Sequence, residues 1–257
     1  MELDVRQAIV LGPGEGERVN ERIVFKIDRP ELSVNEVDVG PEFEGPGPHF
    51  HKLHVDAFYV LEGQLEFTVG TETLVAGAGT SVAIPPGIIH AFTNPGPGGA
   101  RYLNIHAPDG GFAELLRRRI RGEQFDETEH DIYDVDEPGG RADADVVENG
   151  RGERLAKPDG VITVRAARPE LCYLEFDAER GWGPVDAHRH ERQVDSFYVL
   201  EGALELVLDG SPLRVGPGTF VAAPPGVEHG IAQVEEPVRF LNFHAPDDGF
   251  AAFVRSE

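Results

Sequence analysis

The chain divides into short runs in which apolar and polar residues alternate, set apart by glycine and proline. Successive side chains of a strand face opposite ways, so in VDAFYVLEG the residues Asp56, Phe58 and Val60 share one face while Tyr59 and Leu61 share the other. The run Ala57 to Leu61 is rich in residues that suit a pleated surface, and Leu32, Val34 and Val37 mark short strands before it. A helical period stands out over 112–121, where Phe112, Leu115, Leu116 and Ile120 are apolar and basic residues gather in the last turn. That helix is expected to pack over one open end of a barrel. Short strands, Gly/Pro punctuation and little helix together predict all-β units, in which each sheet buries one face against another.

The pattern occurs twice. PHFHKLHVDAFYVLEG (48–63) returns as AHRHERQVDSFYVLEG (187–202), and GTSVAIPPGIIHAFTN (79–94) returns as GTFVAAPPGVEHGIAQ (218–233), always 139 residues further on. Upstream, KIDRPELSVNEVDV is echoed by RAARPELCYLEFDA; downstream, RYLNIHAPDGGF is echoed by RFLNFHAPDDGF after the loss of one loop residue. The repeat predicts an N-terminal barrel over 1–121 and a C-terminal barrel over 142–257, joined by a linker over 122–141 that is acidic and broken by Pro138, Gly139 and Gly140. His130, in that linker, has no repeat partner and is expected to be exposed. The C-terminal AAFVRSE reads as a truncated copy of the first helix.

Candidate chemistry lies in the repeated blocks. By strand parity His49 and His51 point to one side, as do His188 and His190. Asp56 and Asp195 begin the strand that follows, and His90 and His229 leave a Pro-Pro-Gly turn on a neighbouring strand. Three neutral imidazoles and a carboxylate form a mixed nitrogen and oxygen set suited to a divalent transition metal such as Fe, Mn, Ni, Cu or Zn. Such a set leaves coordination positions open, as a catalytic metal requires. One HxH alone is equally well read as solvated histidines on a half-exposed strand. Repetition of all four groups at one spacing favours metal sites, up to two per chain. Asn104 and His106, with Asn242 and His244, share a strand face and either line the pocket mouth or cap the strand end.

Composition narrows the partners. The formal net charge of −23, with basic residues clustered only at Arg117 to Arg121, would repel nucleic acid and an anionic membrane, so neither is expected as a partner. The lone Cys172 excludes an internal disulfide and a multi-cysteine zinc site, and reads as a small buried residue. The N-terminus shows neither a basic segment nor an apolar core of a leader, and no apolar run is long enough to span a bilayer, which places the chain in the cytoplasm as an expectation.

These blocks resemble the two sequence motifs of the cupin superfamily. The first motif is HxH, four residues, Glu and a later Gly; the second is Gly, five residues, Pro-x-Gly, two residues, His, three residues and Asn. His49, His51, Gly63 and His90 fit, as do His188, His190, Gly202 and His229, so the chain resembles a bicupin. Two departures stand out: Asp56 and Asp195 replace the family's metal-binding Glu, and Gln233 replaces the Asn that Asn94 keeps. Asp is one methylene shorter, so either its strand approaches the metal more closely or the carboxylate stands back and becomes the group that accepts a substrate proton.

The resemblance implies two tandem double-stranded β-helix (jelly-roll) barrels with short flanking helices. It also implies a metal-dependent enzyme acting on a small-molecule substrate, with a quercetinase-like dioxygenase as the preferred example and a cupin isomerase or decarboxylase as alternatives. The rival expectation is a non-catalytic protein that uses metal to bind a sugar or carboxylate ligand. Related barrels pair through sheet edges, so a homodimer is compatible with the resemblance.

Overall fold

The computed structural model describes residues 7–256. Residues 1–6 of the stretch 1–16, on which the expectation of no leader rests, lie outside the described residues. Residues 16–151 form one unit. Its larger sheet has seven strands, in the order Asp145–Val147, Ser81–Ile84, Val55–Glu62, Ala100–Ala107, Leu32–Val39, Ile23–Arg29 and Glu17–Arg18. Its smaller sheet has five, in the order Tyr133–Asp134, His49–Phe50, His90–Thr93, Gln64–Val69 and Glu72–Gly77. Phe58, Val60 and Tyr102 from the first sheet meet Leu65, Phe67 and Val69 from the second in one buried core. The alternation read from the sequence holds: Phe58 packs into that core while Tyr59 is buried on the opposite face.

The other unit repeats the plan. Ile9–Leu11, Phe220–Ala223, Val194–Glu201, Val238–Ala245, Leu171–Ala178, Gly160–Arg168 and Glu153–Lys157 form its seven-stranded sheet; Val185–His188, His229–Ile231, Leu204–Leu208 and Ser211–Val215 form its four-stranded one. Every strand pair among the described residues is antiparallel, as in jelly rolls. The glycine that closes each first motif makes a turn no other residue would make easily. Gly63 and Gly202 have φ of 72° and 74°, and a Cβ there would lie 2.3 Å from the carbonyl oxygens of Gly99 and Pro237.

Three expectations are corrected. Ile9–Leu11 pairs with Phe220–Ala223, so the N-terminal strand belongs to the second barrel and not to a barrel over 1–121. Asp145–Val147 pairs with Ser81–Ile84, which carries the first unit on to Arg151 and away from a boundary at 142. Both strands cover an edge of a seven-stranded sheet, where unpaired amides and carbonyls otherwise face solvent. The stretch 122–141 is not merely a linker: it holds a 3₁₀ turn at Glu127–His130 and the edge strand Tyr133–Asp134. His130 is accordingly buried, with Arg118 Nη1 3.2 Å from its Nε2 and the Phe125 ring edge-on to it.

The expected helix forms at Phe112–Ile120, burying Ala113, Leu115 and Leu116 against Phe25. Its truncated copy is the helix Phe250–Ser256. Cys172 is buried, as expected of a small strand residue. No helix among the described residues is long and apolar enough to cross a membrane.

Candidate metal centres

Sheet pairing brings the motif residues together. In the smaller sheet of the first barrel His90 is the direct cross-strand partner of His49, and in the second barrel His229 is the partner of His188. The amide of Gly87, in the Pro-Pro-Gly turn, donates to the His51 carbonyl at 2.6 Å, and Gly226 donates to His190 at 2.8 Å. This bond ties the second motif to the first. Asp56 and Asp195 come from the larger sheet, opposite His106 and His244. The four donor groups predicted in each barrel, His49, His51, Asp56 and His90, and His188, His190, Asp195 and His229, bring one ligand atom apiece to within 4.8 Å of one another.

The tautomers suit a metal. Nδ1 of His49, His51 and His90 donates to the carbonyls of Gly47, Asp131 and Ile88 at 2.8, 2.8 and 2.9 Å. Nδ1 of His188 and His229 likewise donates to Asp186 and Val227 at 2.8 and 3.1 Å. A backbone acceptor on Nδ1 leaves the Nε2 lone pair facing inward, the arrangement that orients a metal-binding imidazole. Nε2 of His51 and Nε2 of His190 are buried and have no hydrogen-bond partner. Such an orphaned lone pair, among two further imidazoles and a carboxylate, fits a bound cation.

Each aspartate is held at both ends. Asp56 Oδ2 lies 3.2 Å from His90 Nε2 and 3.7 Å from His51 Nε2, while Oδ1 accepts from Asn104 Nδ2 at 2.5 Å and stands 3.2 Å from His106 Nε2. Asp195 repeats this, with Oδ2 3.0 Å from His229 and Oδ1 accepting from Asn242 at 2.6 Å. Asn104 and Asn242 thus hold the carboxylates and do not cap strand ends. The shorter Asp reaches the imidazoles because its strand lies close to them.

Burial alone would raise the Asp56 and Asp195 carboxyls, but the surrounding imidazoles, His106 and His244 first, outweigh it and hold both below the usual carboxylate range. Burial, with His90 and His51 nearby, pushes His49 down to about 3, so it stays neutral and free to ligate. For His51 and His229 burial is outweighed by Asp56 and Asp195, and both are raised.

The barrels differ outside these eight residues. In the first, the Asp131 carboxylate accepts the amides of Lys52 and Leu53 at 2.9 Å each and lies 2.8 Å from His54 Nδ1. His51, His54 and Asp131 also cluster, but these bonds already occupy the carboxylate. In the second barrel Gln193 takes the place of His54; its Oε1 accepts from His244 Nδ1 at 3.0 Å, and its Nε2 donates to Pro246. The second site is also more open: the side chain of His190 is 22% exposed, that of His51 5%. Above the second site lies a cavity of about 640 Å³, above the first one of about 320 Å³.

Comparisons with known proteins bear on the family and the fold. The cupin domain family matches residues 35–106 and 175–244. Quercetin 2,3-dioxygenase of Bacillus subtilis (strain 168) is 25% identical over 268 residues, which span 86% of this chain and 77% of that one. Among solved structures, protein Ylba from E. coli superposes with a TM-score of 0.65 at 12% identity, over 95% of this chain and 92% of its own. Salicylate 1,2-dioxygenase from Pseudaminobacter salicylatoxidans superposes with a TM-score of 0.63 at 12% identity, over 95% and 78%. The structural likenesses speak to the fold.

Proposed function

This chain belongs to the cupin family, with two cupin domains in tandem, and on that footing we propose that it is a metal-dependent dioxygenase of a small aromatic substrate, akin to quercetin 2,3-dioxygenase. The observation that carries the reading is the convergence, in both barrels, of three imidazoles and an ionised carboxylate beneath a cavity, with the tautomer fixed for all three imidazoles of the first site and for His188 and His229 of the second. His49, His51, His90 and Asp56 would hold one divalent metal, and His188, His190, His229 and Asp195 the other. The metal would supply Lewis-acid binding of a substrate oxygen and a neighbouring position for dioxygen.

The protein's own groups orient the ligands. Gly47, Asp131 and Ile88 fix the ring planes of the first site through their carbonyls. Asn104 and Asn242 keep one oxygen of each carboxylate turned away from the centre. Because both oxygens are engaged and both groups are held ionised, the aspartates serve as ligands in this scheme, not as the base that takes a substrate proton. Phe112 packs edge-on against His106, and Phe250 stacks on His244 with ring centroids 3.8 Å apart, which holds the imidazoles that flank the two aspartates.

The test is oxygen uptake by protein reconstituted separately with Fe, Mn, Ni, Cu or Zn, with quercetin and simpler phenols as substrates. Uptake matched by loss of the aromatic absorbance, and abolished when His49 and His188 are both changed to Ala, is expected. Ligand-induced stabilisation without uptake under any metal would instead identify a binding protein.

A further inference from the structure

The internal repeat allows the two cavities to be compared position by position. In the first barrel the strand Leu32–Val39 presents Asn35 and Val37 to the cavity. Asn35 is fully buried, and neither atom of its amide has a hydrogen-bond partner. Two cations, Arg22 and Arg119, line the same cavity. An apolar ring laid there would seal the Asn35 amide away from any partner, an unfavourable exchange.

The second barrel replaces Asn35 and Val37, while Phe43 and Tyr102 of the first cavity match Trp182 and Phe240. Leu174 stands where Asn35 does and lies in the apolar core, and Phe176 stands where Val37 does. Phe176 lies parallel to Phe240, with centroids 4.8 Å apart and planes 3° apart. Trp182 stands edge-on to both, at 5.5 and 6.1 Å. These three rings wall a cavity that also borders His188, His190 and His229, and whose volume of about 640 Å³ is twice that of the first. Pockets for multi-ring ligands run from about 300 to 1,000 Å³ and are mostly apolar, so the second cavity lies well inside that range and the first at its lower limit.

We propose that the aromatic substrate is taken by the second barrel alone, with Trp182 as the residue that selects a planar ring system. Edge-to-face and offset contacts with Trp182, Phe176 and Phe240 orient the rings over the His188, His190, His229 and Asp195 set. The first cavity, with half the volume and an aliphatic Val37 in place of the Phe176 ring, does not take such a ligand flat over its histidines. This inference rests on the reading of the protein as an enzyme of an aromatic substrate.

The experiment is titration calorimetry of the metal-loaded protein with quercetin under nitrogen, which prevents turnover. A single equivalent per chain is expected. Trp182→Ala should weaken binding about tenfold or more, and Trp182→Phe, which keeps an aromatic face, should stay within about threefold of wild type. Val185→Arg, at an exposed position lining the same cavity, should weaken binding with no change in fold, and serves if Trp182→Ala does not fold. Two equivalents of equal affinity, or affinity unmoved by Trp182→Ala or Val185→Arg, would overturn the assignment while leaving an aromatic substrate in place. No binding of quercetin or of a simple catechol would overturn the aromatic reading itself.

Discussion

The backbone carbonyl of Asp131 lies 2.8 Å from Nδ1 of His51, so a residue of the 122–141 stretch sets the tautomer of a metal-ligand imidazole in the first barrel. The Asp131 side chain at the same time takes the amides of Lys52 and Leu53 and the imidazole of His54. Asp131→Ala leaves the buried His54 imidazole without an acceptor and turns the part-buried amides of Lys52 and Leu53 to water, and a buried orphan costs about 1–3 kcal/mol before relaxation. The expected loss is about 2–4 kcal/mol of unfolding free energy, read by denaturant titration. Metal should leave the first site more readily while the second keeps its full complement. Equal weakening of both sites would show that the effect is global.

Asn104 and Asn242 make matched bonds to Asp56 and Asp195 at 2.5 and 2.6 Å. Groups that hold a ligand in place commonly change metal affinity by about 10- to 100-fold when removed. Asn104→Ala should therefore weaken the first site, and Asn242→Ala the second, each by about that factor, with the other site unaffected. Metal titration of the two variants against a colorimetric chelator reads this directly.

His49, His51, His90 and Asp56 were legible in the chain because the repeat copies them at one spacing and strand parity assigns their side. Asp131 was not, since it lies 80 residues from His51 in a stretch where a buried carboxylate looks like its solvated neighbours. His54 left a trace only in its replacement by Gln193, which shows no more than that the barrels differ there. The strands Ile9–Leu11 and Asp145–Val147 are three residues each, too short for alternation to reveal which sheet edge they cover. Asn104 and His106 were placed on the right face, but their bonds to Asp56 depend on a register between strands that spacing alone does not supply.

Burial, partly offset by the bond to Asp131, pushes His54 down to about 4, against about 6.5 in an unfolded chain. Between those values the unfolded state binds the extra proton. The contribution of His54 is therefore fully present above about pH 6.5 and is lost as the pH falls towards 4. Gln carries no titrating proton and already serves at the matching position in the second barrel. The melting temperature of metal-free His54→Gln should fall less steeply from pH 6.5 to pH 4.5 than that of wild type. Identical slopes would mean that His54 does not titrate in this range.

The aspartate in the first motif makes a further prediction, because its closeness to the imidazoles substitutes for the missing methylene. Asp56 is 3% exposed, with His90 on one oxygen and Asn104 on the other, so a longer side chain cannot keep both contacts without displacing its neighbours. Asp56→Glu restores the residue of the family motif, yet it should destabilise the first barrel by about 1–3 kcal/mol, the usual cost of overpacking. Its carboxylate would be driven past the position that both Asn104 and a metal require. Asp56→Asn keeps the volume and loses the charge, so its fold should hold while the first site no longer retains metal. Metal content and thermal melting of the two variants separate size from charge. Full metal occupancy and undiminished stability in Asp56→Glu would show instead that the strand can draw back and that its present position is not needed for ligation.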